Sequence, residues 1–238
     1  MIISINQPAY LPWLGYFHRI AISDFHILLD HVQFEKNSFV NRNKIRTKEG
    51  WCWLTVPIRT KGLFGNLAIN TLEISGENKW HKKHWSSINN NYSKARFFKE
   101  YAWVIENTYS RKWTKFNELV KTITNNMLKA LNIQTPILYS SQMDVRGKKD
   151  ELVLNLCKEV DATTYISGPL GRGYIEEEKF EKTGIRVLYH DYRHPTYRQV
   201  YGGFEPYMSL IDLLFNCGPE SLSIIRKEQK KSAPIDTC

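Results

Sequence analysis

Acid and base side chains gather in two stretches of the sequence. The segment YHDYRHPTYRQ contains His190, Asp191 and His194, and a neutral imidazole can take a proton from an amine or a hydroxyl. The segment DHVQFEKNSFVNRNK begins with Asp30, a carboxylate that can hold the same two groups. These patterns predict Asp30, His190 and His194 as candidate catalytic residues. A buried histidine with satisfied hydrogen bonds is the structural alternative for either imidazole.

Cationic and amide side chains follow Asp30. Arg42 and Lys44 are predicted to pair with a diphosphate, and Gln33 and Asn43 to orient the substrate. The alternative is a surface loop with solvated charges.

A glycine-rich stretch, SGPLGRGYI, spans residues 167–175 and offers an arginine for a phosphate. Its glycines have neither the GxGxxG nor the GxxxxGK[ST] spacing, so a plain turn between strand and helix is an equal interpretation. Five side chains from this stretch and from the one that follows His194 are predicted to contact substrate: Ser167, Arg172, Tyr174, Tyr197 and Gln199.

The connection QPAYLPWLGYF, near the start of the chain, is crowded with aromatic residues. Tyr10, Trp13 and Tyr16 are predicted to form one wall of a nucleotide or nucleotide-sugar pocket, where they would stack on a base or a sugar face. A purely structural aromatic plug is the alternative.

The surrounding pattern alternates between strands and helices. MIISIN and FHILLDHVQF are apolar runs typical of buried strands, and the helical spacing of LGYFHRIA lies between them, which predicts a βαβ unit and a parallel sheet. The sequence therefore predicts an α/β fold with a nucleotide-binding-like core. We expect a single domain over residues 1–225, a mostly helical insert over about 78–131, and a polar tail over 226–238. Ligands of such sheets bind beyond the carboxyl ends of the strands, where the polar segments above fall.

The predicted insert is basic and aromatic. Residues 79–115 contain nine lysines and arginines against two glutamates, within a chain of net charge +9. Interleaved cations and rings are typical of surfaces that bind RNA, and a tRNA is a possible partner. The alternative is a helical region with an aromatic core face and a solvated lysine face.

Several classes of protein are excluded or disfavoured. No apolar run is long enough to span a membrane, and the first residues do not have the pattern of a signal peptide. Four scattered cysteines without C-x-x-C spacing fit a reducing cytoplasm and predict no metal site. The pair His81 and His84 has helical spacing but has no third ligand. The cofactor and the oligomeric state are both left open.

Taken together, the motifs NQPAYLPWLGYF, LLDHVQFEKNSFVNRNKI, YISGPLGRGYI and SLIDLLFNCG resemble the WbqC-like family of bacterial surface-polysaccharide gene clusters. The resemblance covers nearly the whole chain. It implies a transferase that places a glycine or another acyl group on the amine of a nucleotide-linked dideoxy amino sugar. The position of WLGY after the first strand is also similar to that of the His-x-Gly-His motif of nucleotidylyltransferases, with aromatic residues in place of both histidines.

The expected function is therefore an amide-forming transfer from an unidentified acyl donor to a nucleotide sugar. Two alternatives stay open: an RNA-binding protein that uses the basic aromatic segment, and a non-catalytic scaffold of the same pathway.

Overall fold

A five-stranded parallel sheet forms the centre of the computed structural model, which describes residues 1–60, 62, 65, 67–76 and 79–227. Its strands are β1 (Ile2–Asn6), β2 (Phe25–Leu28), β5 (Ile137–Tyr139), β6 (Thr164–Ser167) and β7 (Arg186–Tyr189), and their order across the sheet is β5-β2-β1-β6-β7. Two further strands, β3 (Arg42–Thr47) and β4 (Gly50–Thr55), form an antiparallel hairpin. The predicted α/β class is confirmed.

Helices surround the sheet. They are α1 (Leu14–Ala21), α2 (Trp80–Tyr92), α3 (Phe98–Tyr101), α4 (Trp103–Tyr109), α5 (Phe116–Ala130), α6 (Lys149–Glu159), α7 (Glu177–Glu181), α8 (Leu210–Cys217) and α9 (Ser221–Lys227). Helices α2 to α5 lie between β4 and β5, in the stretch where the helical insert was predicted. The single-domain division itself stays a prediction, and most of the predicted tail lies outside the described residues.

Strand β1 is central because its residues are apolar and β-branched on a sheet that is covered on both faces. It pairs with β2 from Ile3 opposite Phe25, and with β6 from Ile2 opposite Thr164. The chain leaves β1 towards β2 on one side and reaches β6 on the other, so the strand order reverses between β1 and β6. Ligands of open α/β sheets bind in the crevice at this kind of position.

The core lies on both faces of the sheet. Ile3, Ile5 and Ile27 pack with α6 and α7 on one face, and helices α1, α5 and α8 build a larger apolar cluster elsewhere. Under α1 the sheet is polar: His26 Nδ1 lies 2.7 Å from Ser4 Oγ, and both side chains are fully buried.

The aromatic residues of the basic segment belong mainly to this core. Trp80, Tyr92, Phe98 and Tyr109 are all buried, so their rings are not available to stack on RNA bases. The pattern matches the structural alternative, in which lysines occupy the solvated face of α2. No helix of the described residues is long and apolar enough to cross a membrane.

Candidate active site at the carboxyl edge of the sheet

A pair of stacked histidines lies where β6 and β7 end. His18 of α1 and His190, which follows β7, are buried, and 2.7 Å separates His18 Nδ1 from His190 Nε2. Burial lowers the pKa of His18 to about 4, helped by Arg226, and it lowers the pKa of His190 to about 3, helped by His18 and Arg19. Both imidazoles are therefore neutral at pH 7, and each has the acid–base chemistry of an uncharged ring.

Arg19 carries an unpaired charge beside this pair. Side chains on a helix point back towards its N-terminus, so Arg19 extends along α1 to the carboxyl end of β6. A Cβ atom on Gly168 would lie 2.6 Å from Arg19 Nη1, so a larger residue at this position would force the guanidinium to move. Within the described residues, Arg19 has no acidic partner and its buried Nε has no hydrogen-bond acceptor. Burial lowers the pKa of Arg19, an effect that the neighbouring tyrosine hydroxyls of residues 165, 16 and 174 oppose.

His194 is held in one orientation with a free nitrogen. Its Nδ1 lies 2.8 Å from the carbonyl oxygen of Pro195, which can only accept a hydrogen bond, so Nδ1 is the donor. The lone pair is then on Nε2, which is buried and without a partner among the described residues. Trp13 and Tyr207 pack against the imidazole, which stacks on Trp13. Burial lowers the pKa of His194.

Trp13 explains part of the aromatic crowding near the start of the chain. Its ring lies over the first turn of α1, where a Cβ atom on Gly15 would come within 2.4 Å of it. The half-buried ring also contacts Tyr192, which packs on both His18 and His190. Trp13 and Tyr192 thereby connect His194 to the histidine pair, and the structure brings the predicted residues Trp13, His190 and His194 into one cluster.

Asp30 lies at the opposite side of the same edge, after β2, and its carboxylate is saturated with hydrogen bonds. Oδ1 accepts from Ser140 Oγ and from the Ser141 amide, and Oδ2 accepts from Ser141 Oγ and Asn117 Nδ2, at distances of 2.8–3.2 Å. The side chain is fully buried, and His31 Nδ1 shares the Ser140 hydroxyl. Asp30 therefore ties the ends of β2 and β5 to α5, and its predicted role as a base stays a prediction.

Two predicted substrate contacts, Tyr197 and Gln199, instead surround a buried carboxylate in α8. Tyr197 Oη and Gln199 Nε2 donate to Asp212 Oδ2, and Tyr92 Oη donates to Oδ1. Burial raises the pKa of Asp212, whereas these three donors and the more distant Arg46 oppose the increase. The network joins α2, the loop after β7 and α8.

Tyr10, which precedes α1, and Tyr16, which lies in α1, are both buried. Tyr10 Oη lies 2.8 Å from His84 Nδ1 and also bonds Tyr109 Oη, which places it in the core below α2. Tyr16 Oη donates weakly to the carbonyl oxygen of Gln7 at 3.4 Å, and burial raises its pKa. Neither ring presents an exposed face, so the geometry of this pair favours the structural alternative.

The predicted orienting residues make local contacts. Asn43 is buried and donates from Nδ2 to the carbonyl oxygen of Leu11 at 2.6 Å, which fixes the hairpin against the opening loop. Gln33 is exposed, and its amide bridges the Leu67 N–H and the Phe34 carbonyl.

The predicted diphosphate clamps lie on the outer face of the hairpin. The guanidinium of Arg42 covers the ring of Trp53, with Cζ 4.4 Å from its centroid, and donates to the carbonyl oxygen of Asn37. The ammonium of Lys44 lies 4.8 Å from the centroid of Trp51. Both cations are thus associated with tryptophan rings.

The glycine-rich stretch forms a short 3₁₀ turn after β6. Ser167 is buried and donates to the carbonyl oxygen of Gly168, at the entrance to the Arg19 site. Arg172 makes an exposed bidentate ion pair with Asp191, with N–O distances of 2.7 and 2.8 Å. The Tyr174 side chain is exposed and lies near Arg19.

Sequence reasoning did not identify His18, Arg19 or Tyr192 as site residues. His18 and Arg19 occupy the middle of an apolar helix, where a polar residue is easily interpreted as the solvated face. The information needed to identify them is the strand order, which shows that one side of α1 faces β6. The sequence pattern does not contain this order. Among the described residues, no group of three His, Cys, Asp or Glu is arranged to hold a metal ion.

Comparison with known proteins assigns the chain to a family. The model of the WbqC-like protein family matches residues 7–224. The chain is 38% identical over 226 residues to a Mycobacterium tuberculosis protein named "Uncharacterized protein Rv1507c", and the alignment covers 94% of this chain and 97% of that protein. No solved structure matched. The matched region contains all of the histidines and the arginine of the carboxyl-edge cluster, and the chain therefore belongs to the WbqC-like protein family, which is associated with polysaccharide biosynthesis.

Proposed function

We propose that this chain is an acyl or aminoacyl transferase that acts on the amine of a nucleotide-linked dideoxy amino sugar in surface-polysaccharide biosynthesis. The observation that carries the proposal is Arg19: a half-buried guanidinium at the reversal point of the strand order, with a buried and unpartnered Nε and without an acid within the described residues. A partly desolvated cation without a partner is stabilised by an anionic ligand such as a diphosphate.

The neighbouring histidines supply the other requirement. An amine attacks an acyl carbon only as the free base, so a neutral imidazole must accept its proton. His194 offers a free Nε2 whose orientation is fixed by the Pro195 carbonyl, and His190 is neutral within the stacked pair. Trp13, which stacks on His194, is half-buried and leaves part of its ring accessible for contact with a sugar.

The reaction balances with a donor that is an activated ester or thioester. The amine nitrogen forms a bond to the carbonyl carbon, and the bond from that carbon to the leaving oxygen or sulfur breaks. The amine proton passes to the imidazole and from there to the leaving group. The products are the amide of the sugar and the free alcohol or thiol.

A thermal-shift experiment on the full chain tests the binding step. We expect dTDP- or UDP-linked amino sugars, at about 100 times Kd, to stabilise the protein by roughly 2.7 kcal/mol. The variant Arg19→Gln should bind these sugars at least about tenfold more weakly, since it removes a hydrogen bond from a charged group. Arg186→Gln is the matched control, because Arg186 is exposed at the opposite end of β7.

Failure to bind any nucleotide sugar would refute the proposal. If affinity instead falls in Arg42→Ala and is kept in Arg19→Gln, the sugar binds at the hairpin. With a sugar that binds, mass spectrometry of reactions with acyl thioesters and aminoacyl-tRNA identifies the donor.

A further inference from the structure

The β3–β4 hairpin presents an aromatic surface to solvent. In an antiparallel pair, opposite residues share a face, and here Lys44 is opposite Trp53 and Arg46 is opposite Trp51. The inner face carries Ile45 and is packed into the core. The outer face, with the Phe39 ring beside it, is defined here as the aromatic face: Phe39, Arg42, Lys44, Trp51 and Trp53.

The rings of the aromatic face are among the most exposed apolar side chains of the described residues. Phe39 is 53% exposed, Trp51 43% and Trp53 36%. Their centroids are 5.6–5.7 Å apart along the row from Phe39 to Trp53 to Trp51. A contiguous group of exposed rings on a monomeric surface is typical of a binding site.

Cations alternate with these rings. Arg42 covers Trp53 and Lys44 covers Trp51, as described above, and neither cation pairs with an acid within the described residues. Arg46 is different, because its guanidinium donates to the carbonyl oxygens of Thr47, Gly50 and Gly202 and so stiffens the hairpin turn. The face is therefore rigid at its turn and positively charged along its length.

A basic groove lies next to the hairpin along α2. It has a volume of about 580 Å³ and is defined here as the lysine groove; its lining residues are Lys79, Lys82, Lys83, Ser86, Ser87, Asn90 and Asn91. None of these residues is acidic, and within the described residues its lysines form no ion pair. Ser87 Oγ lies 3.9 Å from Cys52 Sγ of β4, and Cys52 is opposite Ile45 on the inner face, so α2 meets the hairpin from the side opposite the aromatic face. An RNA that contacts both surfaces must therefore pass around an edge of the hairpin.

We infer that the aromatic face and the lysine groove bind single-stranded RNA. The rings of Trp51 and Trp53 stack on unpaired bases, while Arg42, Lys44 and the groove lysines neutralise the phosphates. Unpaired RNA offers both partners at once, whereas a neutral glycan would leave the cations unmatched. The stacking rings of this site belong to the hairpin, and residues 79–115 contribute only the polar residues of the groove. The inference does not depend on acyl transfer.

Fluorescence anisotropy with a labelled RNA of about 12 nucleotides, a length within the range of known single-strand sites, tests the inference on the full chain. We expect Trp53→Ala to weaken binding at least about fivefold, and Trp53→Phe to restore most of the affinity. The double variant Lys82→Gln/Lys83→Gln should reduce the slope of log K against log salt by about 1.4, since each phosphate that a lysine neutralises adds about 0.7 to that slope. Lys158→Gln/Lys182→Gln makes the same change of charge on exposed residues elsewhere and should leave the slope unchanged.

Three results would overturn the inference. The first is no measurable RNA binding. The second is evidence for charge attraction without stacking. Either an RNA affinity that is unchanged in Trp53→Ala, or an affinity for heparin that equals the affinity for RNA and depends on the lysines alone, would provide it. The third is a dimer that dissociates in Trp53→Ala, which would assign the aromatic face to a second copy. Circular dichroism of each variant confirms its fold, which we expect to be intact because the replaced side chains are exposed.

Discussion

The two halves of the carboxyl edge use similar residues in opposite ways. After β2 and β5, Asp30 accepts four hydrogen bonds from three residues and has no capacity left. After β1, β6 and β7, Arg19 has no acid beside it, and His194 keeps one ring nitrogen unpartnered within the described residues. Both halves carry polar side chains at strand ends, yet one half is satisfied internally and the other is left open.

The difference separates polar residues that stabilise the fold from polar residues that can bind a ligand. A buried group whose hydrogen bonds are complete fixes the backbone and has little left to offer a ligand. A buried group without a partner destabilises the empty protein, and a ligand that supplies the partner recovers that free energy. The position of a residue at a strand end is therefore a weaker indicator of function than the state of its hydrogen bonds.

The largest expected effect that tests this contrast concerns Asp30. Asp30→Ala removes the acceptor of the buried Ser140 hydroxyl and of the donors on Ser141 and Asn117, and we expect it to lower the free energy of unfolding by about 3 kcal/mol or more. Urea unfolding measures the decrease. If Asp30→Asn keeps normal stability but abolishes formation of the amide product, Asp30 is the base and the contrast between the two halves is wrong.

The half of the carboxyl edge that contains His18 and His190 should lose stability in acid. The pKa values of His18 and His190 are lowered to about 4 and about 3 in the folded chain, against an ordinary value near 6.5, so the unfolded chain binds more protons between these limits. Their contribution to stability is complete above about pH 6.5 and is lost as the pH falls towards 4 and 3. At pH 5 we expect a loss of roughly 2 kcal/mol for each histidine that stays neutral.

Urea unfolding at pH 7 and pH 5 measures this loss in the wild type and in His190→Gln. The variant should show a shallower dependence on pH. An identical dependence would mean that the pKa of His190 in the folded protein is close to its ordinary value, which would contradict the lowering of this pKa by burial.

The smallest expected effect concerns Arg172, which sequence reasoning assigned to a phosphate. Its ion pair with Asp191 is exposed, so Arg172→Gln should shift Tm by no more than about 2 °C. A thermal shift without ligand measures that change, and the same scan with nucleotide sugar sharpens the contrast. A tenfold decrease in sugar affinity would show that Arg172 leaves Asp191 to hold a phosphate beside Arg19.

Local pattern was enough to predict much of the fold. The apolar runs of β1 and β2 and the helical spacing of α1 predicted the βαβ unit correctly, since such patterns decide which side of an element is buried. The run FHILLDHVQF was interpreted as one strand, but β2 ends at Leu28, because the buried Asp30 takes its hydrogen bonds from the chain after β5.

The site was less predictable, because its contacts are distant in sequence. His190 and His194 were identified from residue type, whereas their partners His18 and Trp13 are more than 170 residues away. A different limit applies to Tyr197 and Gln199: their shared acceptor Asp212 is only 15 and 13 residues away, but it is concealed in the apolar run SLIDLLF. The face of β3 on which Arg42 and Lys44 lie became clear only from the register of the hairpin.

The placement of β1 also has a consequence for synthesis on the ribosome. This strand leaves the ribosome before the other strands of the sheet and lies at the centre of the sheet, but its second neighbour, β6, begins only at Thr164. At about 5–20 residues per second, β1 waits roughly 8–30 seconds with one edge unpaired. An unpaired apolar strand readily joins another chain, so the order of strands makes the nascent protein a natural client for chaperones.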